Sequence, residues 1–173
     1  MNTPYKLANE NKELFLLTFN ELYEHSSWVI EKAFETVKSD RKFDQIEEFH
    51  TLLSTIVLEE TKELQDSLIK AHPMLAGKKA MANELTDFST NEQKSAGLDT
   101  CTNEEIETFD NLNKAYFDKF DFPFIFAVKG KTKKQILENF KSRIDNSLEK
   151  ERVEALQQIN KIGLIRIKDI YEH

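Results

Sequence analysis

The sequence predicts an all-α fold, a single domain of about seven or eight helices with one extended apolar segment at about 122–128. Three observations lead there. The 173 residues include only four glycines and three prolines, well below average usage, so turns are few. Apolar residues recur at three- and four-residue steps along most of the chain, the period of a helix with one buried face. A single run, Phe122 to Val128, is aromatic, proline-broken and β-branched. No second run of that kind offers it a sheet partner.

Residues 1–10 are polar and are expected to form a flexible N-terminus, with the helical domain at 11–173. A first helix should run from Asn11 to about Glu24, with Leu14, Phe15, Leu17, Phe19 and Leu22 as its apolar positions. Ser27 is placed to cap a second, which carries Trp28, Val29, Ala33, Phe34 and Val37. Ser39 to Phe43 reads as a charged connection. Ile46, Phe49, Leu53 and Ile56 mark a third helical region. Glu59 to Thr61 should divide it from a segment with Leu64, Leu68 and Ile69. That segment must stop at His72, because Pro73 disfavours helical geometry in the residue before it. Gly77 to Asn83 reads as a loop or short helical turn.

Beyond it, Ser89-Thr90-Asn91-Glu92 has the spacing of a capping box, opening a short helix that ends near Gly97. Thr102 with Glu105, and Thr132 with Gln135, repeat the pattern. The first opens a helix with Ile106, Phe109, Leu112, Tyr116 and Phe120, the second one with Ile136, Leu137, Phe140 and Ile144. A last helix is expected from Leu148 to about Ile170, with Val153, Leu156, Ile159, Ile162 and Ile167 among its apolar residues.

Composition narrows the function. Against 31 Asp and Glu stand 24 Lys and Arg, a net charge of −7, the wrong sign for a nucleic-acid stripe. The lone Cys101 permits no intrachain disulfide, as expected of a reducing compartment. No apolar run approaches the ~20 residues of a bilayer span, and the N-terminal residues lack a signal-peptide layout. A cytoplasmic protein that engages neither nucleic acid nor membrane is therefore expected. Glu47-x-x-His50 is a single copy of a step that di-iron bundles use twice, so no metal site is expected. Cys101 has no local activating partner, and there is no phosphate-cradling glycine loop.

His72 stands out among the four histidines. At a helix C-terminus it faces unpaired carbonyls and partial negative charge. His25, beside Glu24, reads as structural, and His173 is terminal. Glu92 follows in the same connection, although the third residue of a capping box needs no further reason to be Glu. Arg166, between Ile165 and Ile167, is either a buried ion pair or a carboxylate anchor. The segment Phe124 to Val128 is either plain core or a platform whose main-chain groups grip a ring rich in amides.

Taken together, the chain resembles the 2-oxo-4-hydroxy-4-carboxy-5-ureidoimidazoline (OHCU) decarboxylases of urate breakdown over nearly its whole length. Four blocks carry the likeness: Glu24-His25-Ser26-Ser27-Trp28; Ala71-His72-Pro73-Met74-Leu75-Ala76-Gly77-Lys78; Leu85-Thr86 with Ser89, Glu92-Gln93 and Ala96-Gly97-Leu98; and Phe109, Leu112-Asn113, Tyr116, Lys119-Phe120 and Phe122-Pro123-Phe124-Ile125, extended by Val128-Lys129-Gly130. The resemblance implies an all-helical, homodimeric, cofactor-free enzyme acting on a small ureidoimidazoline. It implies His72 as acid/base with Glu92 as its partner. It also implies a substrate site lined by Pro73, Ser89, Thr90, Asn91, Glu92, Gln93, the backbone of Phe124, Ile125, Phe126, Ala127 and Val128, and Arg166.

The chain departs from the family pattern at Ser27 for Pro, Met74 for Asp, Phe88 for Glu, Asp121 for Gly and Ala127 for Cys. Two other readings compete. One is a non-catalytic helical interaction module derived from this fold, which would have no need of His72, Glu92 and Gln93 together. The other is ureido-bond hydrolysis, which would call for an activated water.

Overall fold

The computed structural model describes residues 2–77 and 84–172. Among these residues every regular element is helical. In chain order they are α1 (Pro4–Glu10), α2 (Lys12–Phe19), α3 (Trp28–Ser39), α4 (Ile46–Glu59), α5 (Lys62–Ala71), α6 (Asp87–Ser95), α7 (Asn103–Phe120), α8 (Lys133–Arg143) and α9 (Leu148–Tyr171). Short 3₁₀ turns at Asn20–Leu22 and Arg41–Asp44 complete the set. The all-α prediction holds. The expected loop or turn at 77–83 lies, beyond Gly77, outside the described residues, as do Lys78 and the terminal His173.

The chain divides into two compact units. One contains everything up to Ala71 together with the chain from Ile159 on; the other runs from His72 to Gln158.

In the first unit, the stretch expected to be a flexible terminus is the helix α1. Pro4 sits in its first turn, where a missing N–H costs nothing. Leu7 and Ala8 are buried, and the Tyr5 N–H donates to Asp44 Oδ1 at 3.0 Å. The single helix expected over 11–24 ends at Phe19 in a 3₁₀ turn. Of its apolar residues Phe15, Phe19 and Leu22 are buried, whereas Leu14 and Leu17 are exposed. Phe15 meets Phe19, Phe34 and Phe49 edge-to-face at 5.1–6.4 Å between centroids, a favoured arrangement of ring quadrupoles, and Phe19 and Phe49 lie tilted at 5.0 Å. Ser27 precedes α3 without capping it through its side chain; its hydroxyl donates to Glu31 instead. Its φ of −56° is one that a proline, the residue the resemblance leads one to expect there, also adopts.

The break at Glu59–Thr61 occurs as expected. Buried Gln65 reaches back from α5, donating to the Val57 and Leu58 carbonyls at 2.9 and 3.1 Å, groups the end of α4 would otherwise leave unpaired. On the last helix, Gly163 meets the Tyr23 ring so closely that an added Cβ would lie 3.1 Å from its hydroxyl. That hydroxyl donates to Asn160 Oδ1 at 3.1 Å, and burial raises its pKa above the ordinary tyrosine value.

In the second unit both expected capping boxes at Thr102 and Thr132 are formed, with both reciprocal bonds in place. The one expected at Ser89 is not. α6 begins three residues earlier, with Thr86 as its cap accepting from the Ser89 N–H, so Ser89 to Glu92 lie inside the helix. Its end is a Schellman turn: Leu98 N–H donates to the Gln93 carbonyl, Gly97 N–H to the Lys94 carbonyl, and Gly97 adopts φ +74°. Residues 122–128 form no regular strand, and all but Phe126 are buried. Phe124 stacks on Phe140 at 3.9 Å and meets Tyr116 edge-on at 5.4 Å. Val153, expected on the apolar side of the last helix, is exposed.

Candidate active site

α5 ends at Ala71, as Pro73 requires, and the next six residues, 72–77, form an irregular loop. His72 is buried at 7 % exposure in spite of being polar. Three side-chain bonds from two helices fasten the backbone that follows it. Gln93 of α6 accepts from the Ala76 N–H at 2.9 Å and donates to the Met74 carbonyl at 3.2 Å. Asn113 of α7 donates to the Leu75 carbonyl at 2.9 Å. Three consecutive residues are thus gripped in sequence. Ala76 is fully buried with φ at +50°, a left-handed conformation that costs an L-residue about 1–2 kcal/mol and that collects at functional loops.

The loop and one face of α7 line an open cleft of about 580 Å³, with His72, Pro73, Met74 and Gly77 on one side and α7 from Asp110 to Asp118, including Asn113, Lys114 and Phe117, on the other. A space of this size takes a small heterocyclic ligand. Met74, where the family pattern has Asp, is part of that wall. Among the residues assigned to the site from sequence, His72 and Pro73 line it; Glu92 and the segment 124–128 are not part of the wall. Glu92 is half-buried in the second turn of α6. The neighbouring Gln93, through its two bonds, brings that turn against the His72 loop. Since Glu92 is not a capping residue, helix-end chemistry no longer explains a carboxylate there. Ser89 and Gln93 are buried, Thr90 half-buried and Asn91 exposed.

The segment 124–128 rests on a buried polar cluster. Arg143 Nη1 donates to the Ile125 carbonyl at 2.6 Å, and its Nε and Nη2 clasp the Glu151 carboxylate at 2.8–3.2 Å. Asn146 and the Tyr116 hydroxyl also donate to that carboxylate. Burial works against the Glu151 charge, yet these donors outweigh it and hold the pKa below the ordinary glutamate value. Burial and the same carboxylate push the Tyr116 hydroxyl the other way. The Arg143 guanidinium lies 4.4 Å over the Phe124 ring.

Arg166, in the other unit, donates to Glu24 Oε1 at 2.9 Å and to the Glu21 carbonyl at 3.1 Å, with both side chains of the ion pair 1 % exposed. His25, largely exposed, lies 4.0 Å from Glu24. His50 Nε2 lies 2.7 Å from the Asn160 carbonyl, a contact in which that nitrogen donates. No cluster of three or more metal-ligating side chains occurs among the described residues, and no helix among them is long and apolar enough to cross a membrane.

Sequence reading missed Asn113 and Arg143 as organising residues. Both carried a signal: Asn113 interrupts the stripe Phe109, Tyr116, Phe120, and Arg143 occupies the place where Ile136 and Phe140 call for a third apolar residue.

Fold and cavity define an all-helical protein that presents a buried histidine, on a clamped loop, to a space the size of a small molecule. The chain belongs to the OHCU decarboxylase family, whose family model matches residues 9–168. It is 36 % identical to a 2-oxo-4-hydroxy-4-carboxy-5-ureidoimidazoline decarboxylase of Haloferax volcanii, covering 90 % of this chain and 88 % of that protein. It is 39 % identical to the uric acid degradation bifunctional protein PucL of Bacillus subtilis over 88 % of its own length, but spans only 29 % of that longer protein. A crystal structure of (S)-allantoin synthase superposes with a TM-score of 0.74 at 28 % identity, covering 97 % of this chain and 54 % of that one.

Proposed function

We propose that this chain decarboxylates 2-oxo-4-hydroxy-4-carboxy-5-ureidoimidazoline to (S)-allantoin within urate breakdown, without a cofactor, as a cytoplasmic homodimer. The observation that carries this reading is His72, buried at the cavity wall on a loop whose next backbone groups are fixed by Gln93 and Asn113. Family membership over residues 9–168 supplies the substrate class.

The substrate needs little from the protein beyond position and protons. Its carboxylate leaves a carbon adjacent to a C=N bond. When the carbon–carboxylate bond breaks, its electron pair forms a carbon–carbon double bond, and the C=N pair moves onto nitrogen, which takes a proton. Carbon dioxide departs and an enol remains. The enol hydroxyl then loses its proton while the neighbouring carbon gains one, giving the carbonyl of allantoin and its stereocentre. In this reading His72 and Glu92 engage the ring hydroxyl and manage its proton. A positioned acid or base contributes ~10²–10⁴-fold in rate, and fixed orientation adds to it. Pro73 and the turn from Ser89 to Gln93 shape the site. The backbone of Phe124 to Val128 holds the ring edge. On the family resemblance Arg166, whose guanidinium suits a carboxylate, is also assigned to the substrate.

The test is stereochemical. Urate, urate oxidase and hydroxyisourate hydrolase generate the substrate in place, and circular dichroism follows the product. With the chain present the signal of (S)-allantoin should accumulate; a racemate formed at the spontaneous rate refutes the proposal. Saturable binding of allantoin separates an enzyme from a non-catalytic helical module of the same fold, which would show none.

A further inference from the structure

In extended backbone the N–H and C=O of one residue point to one side and those of the next residue to the other. Along residues 122–128 one side is already taken. The Ile125 carbonyl accepts from Arg143, and the Ala127 N–H donates to Gln158 Oε1 at 3.0 Å. The two-residue step between these bonds is that of a strand held along one edge. By the alternation of extended backbone the N–H and carbonyl of Phe126, between them, belong to the opposite edge, and no bond from either to a described residue is formed. Unpaired main-chain groups in a largely buried segment are uncommon.

The clasp itself is fully connected. Arg143 is 4 % exposed and Glu151 0 %. Arg143 gives Nε and Nη2 to Glu151 and Nη1 to the Ile125 carbonyl, and Gln158, 4 % exposed, is aimed by its own bond to Glu154 Oε1 at 2.8 Å. A buried ion pair adds little net stability over apolar packing of similar volume. Its contribution here is geometric: it holds Arg143 where Nη1 meets the Ile125 carbonyl.

We infer that Gln158 and Arg143 are positioning residues for substrate. By holding Ile125 and Ala127 from one side they present the N–H and C=O of Phe126 as the donor–acceptor pair that reads the amide edge of the ring. The inference rests on the proposed decarboxylase activity and adds residues to which neither composition nor resemblance gives a role.

Gln158→Leu removes the acceptor for Ala127. The exchange Glu154→Gln with Gln158→Glu keeps an acceptor at 158 and a donor at 154 at unchanged net charge. Because Phe126 acts in binding, Gln158→Leu should raise KM about ten-fold while kcat changes less than about three-fold. The exchange should return KM to within about two-fold of the parent. In the unaltered protein labelled with ¹⁵N, titration with (S)-allantoin should shift the Phe126 amide and leave that of Ala127 in place, a readout independent of how any variant folds. An unchanged KM in a folded Gln158→Leu, a rise that the exchange fails to reverse, or an Ala127 shift without a Phe126 shift overturns the inference. No turnover by the unaltered protein removes the decarboxylase reading and this inference together. Turnover with a normal KM in Gln158→Leu removes the inference alone.

Discussion

Gln93→Met asks whether the loop beginning at His72 is gripped or merely passes the site. Methionine keeps the length and apolar stem of glutamine and removes both polar atoms. The N–H of Ala76, a fully buried residue, loses its acceptor, and an unsatisfied buried donor costs about 1–3 kcal/mol. The Met74 carbonyl is on a half-buried residue and turns to water at small cost. The expected loss is about 2 kcal/mol, or about 4–8 °C in Tm for a chain of this length. Thermal unfolding and steady-state kinetics are measured on the same preparation. A side chain that only touched substrate would change KM and leave Tm alone; a clamp lowers Tm and, as the imidazole loses its place, lowers kcat. Adding Ala76→Gly relieves the positive-φ cost at Ala76 and should restore about 1 kcal/mol of stability with none of the kcat. An unchanged Tm in Gln93→Met refutes the clamp.

Two further expectations concern stability. The folded-state pKa of Glu151 lies below its ordinary value of 4.5, so the stability it contributes is complete above about pH 4.5 and is lost as pH falls through the lower folded value. Glu151→Gln should therefore be less stable at pH 7 by about 3–5 kcal/mol, having left Arg143 buried without its partner, and should show a shallower decline on acidification; denaturant titrations at several pH values measure both. Asp121, where the family pattern has Gly, ends α7 with φ at +60°. Asp121→Gly should raise stability by up to about 1 kcal/mol without altering kcat, read by chemical denaturation.

Local rules reached as far into this fold as local chemistry did. Pro73 stopped α5 where it had to, and Thr102 and Thr132 each had a Glu or Gln three residues on to close a capping box. Ser89 misled because Glu92 completes the same spacing, whereas the helix starts at Asp87 and is capped by Thr86, whose third residue on is Ser89. α1 was hidden because only Leu7 and Ala8 mark its buried side; its stability comes from packing against α3 and the bond to Asp44, neither of which is local. At the site, His72 was legible because a proline fixes it at a helix end. The residues that aim it were not: Gln93 and Asn113 act on backbone 17–38 positions away, and the cluster of Arg143, Glu151 and Tyr116 joins three helices. A polar residue on an otherwise apolar stripe is the trace such contacts leave in sequence.

The most direct measurement is the rate at which His72→Asn builds the circular dichroism signal of (S)-allantoin, compared with the parent at matched folded concentration. Asparagine keeps a polar side chain of similar size and cannot exchange a proton near neutral pH. The expected result is a fall of ~10²–10⁴-fold with Tm nearly unchanged. A rate within about two-fold of the parent would place the proton chemistry on some other group and contradict the role given to His72.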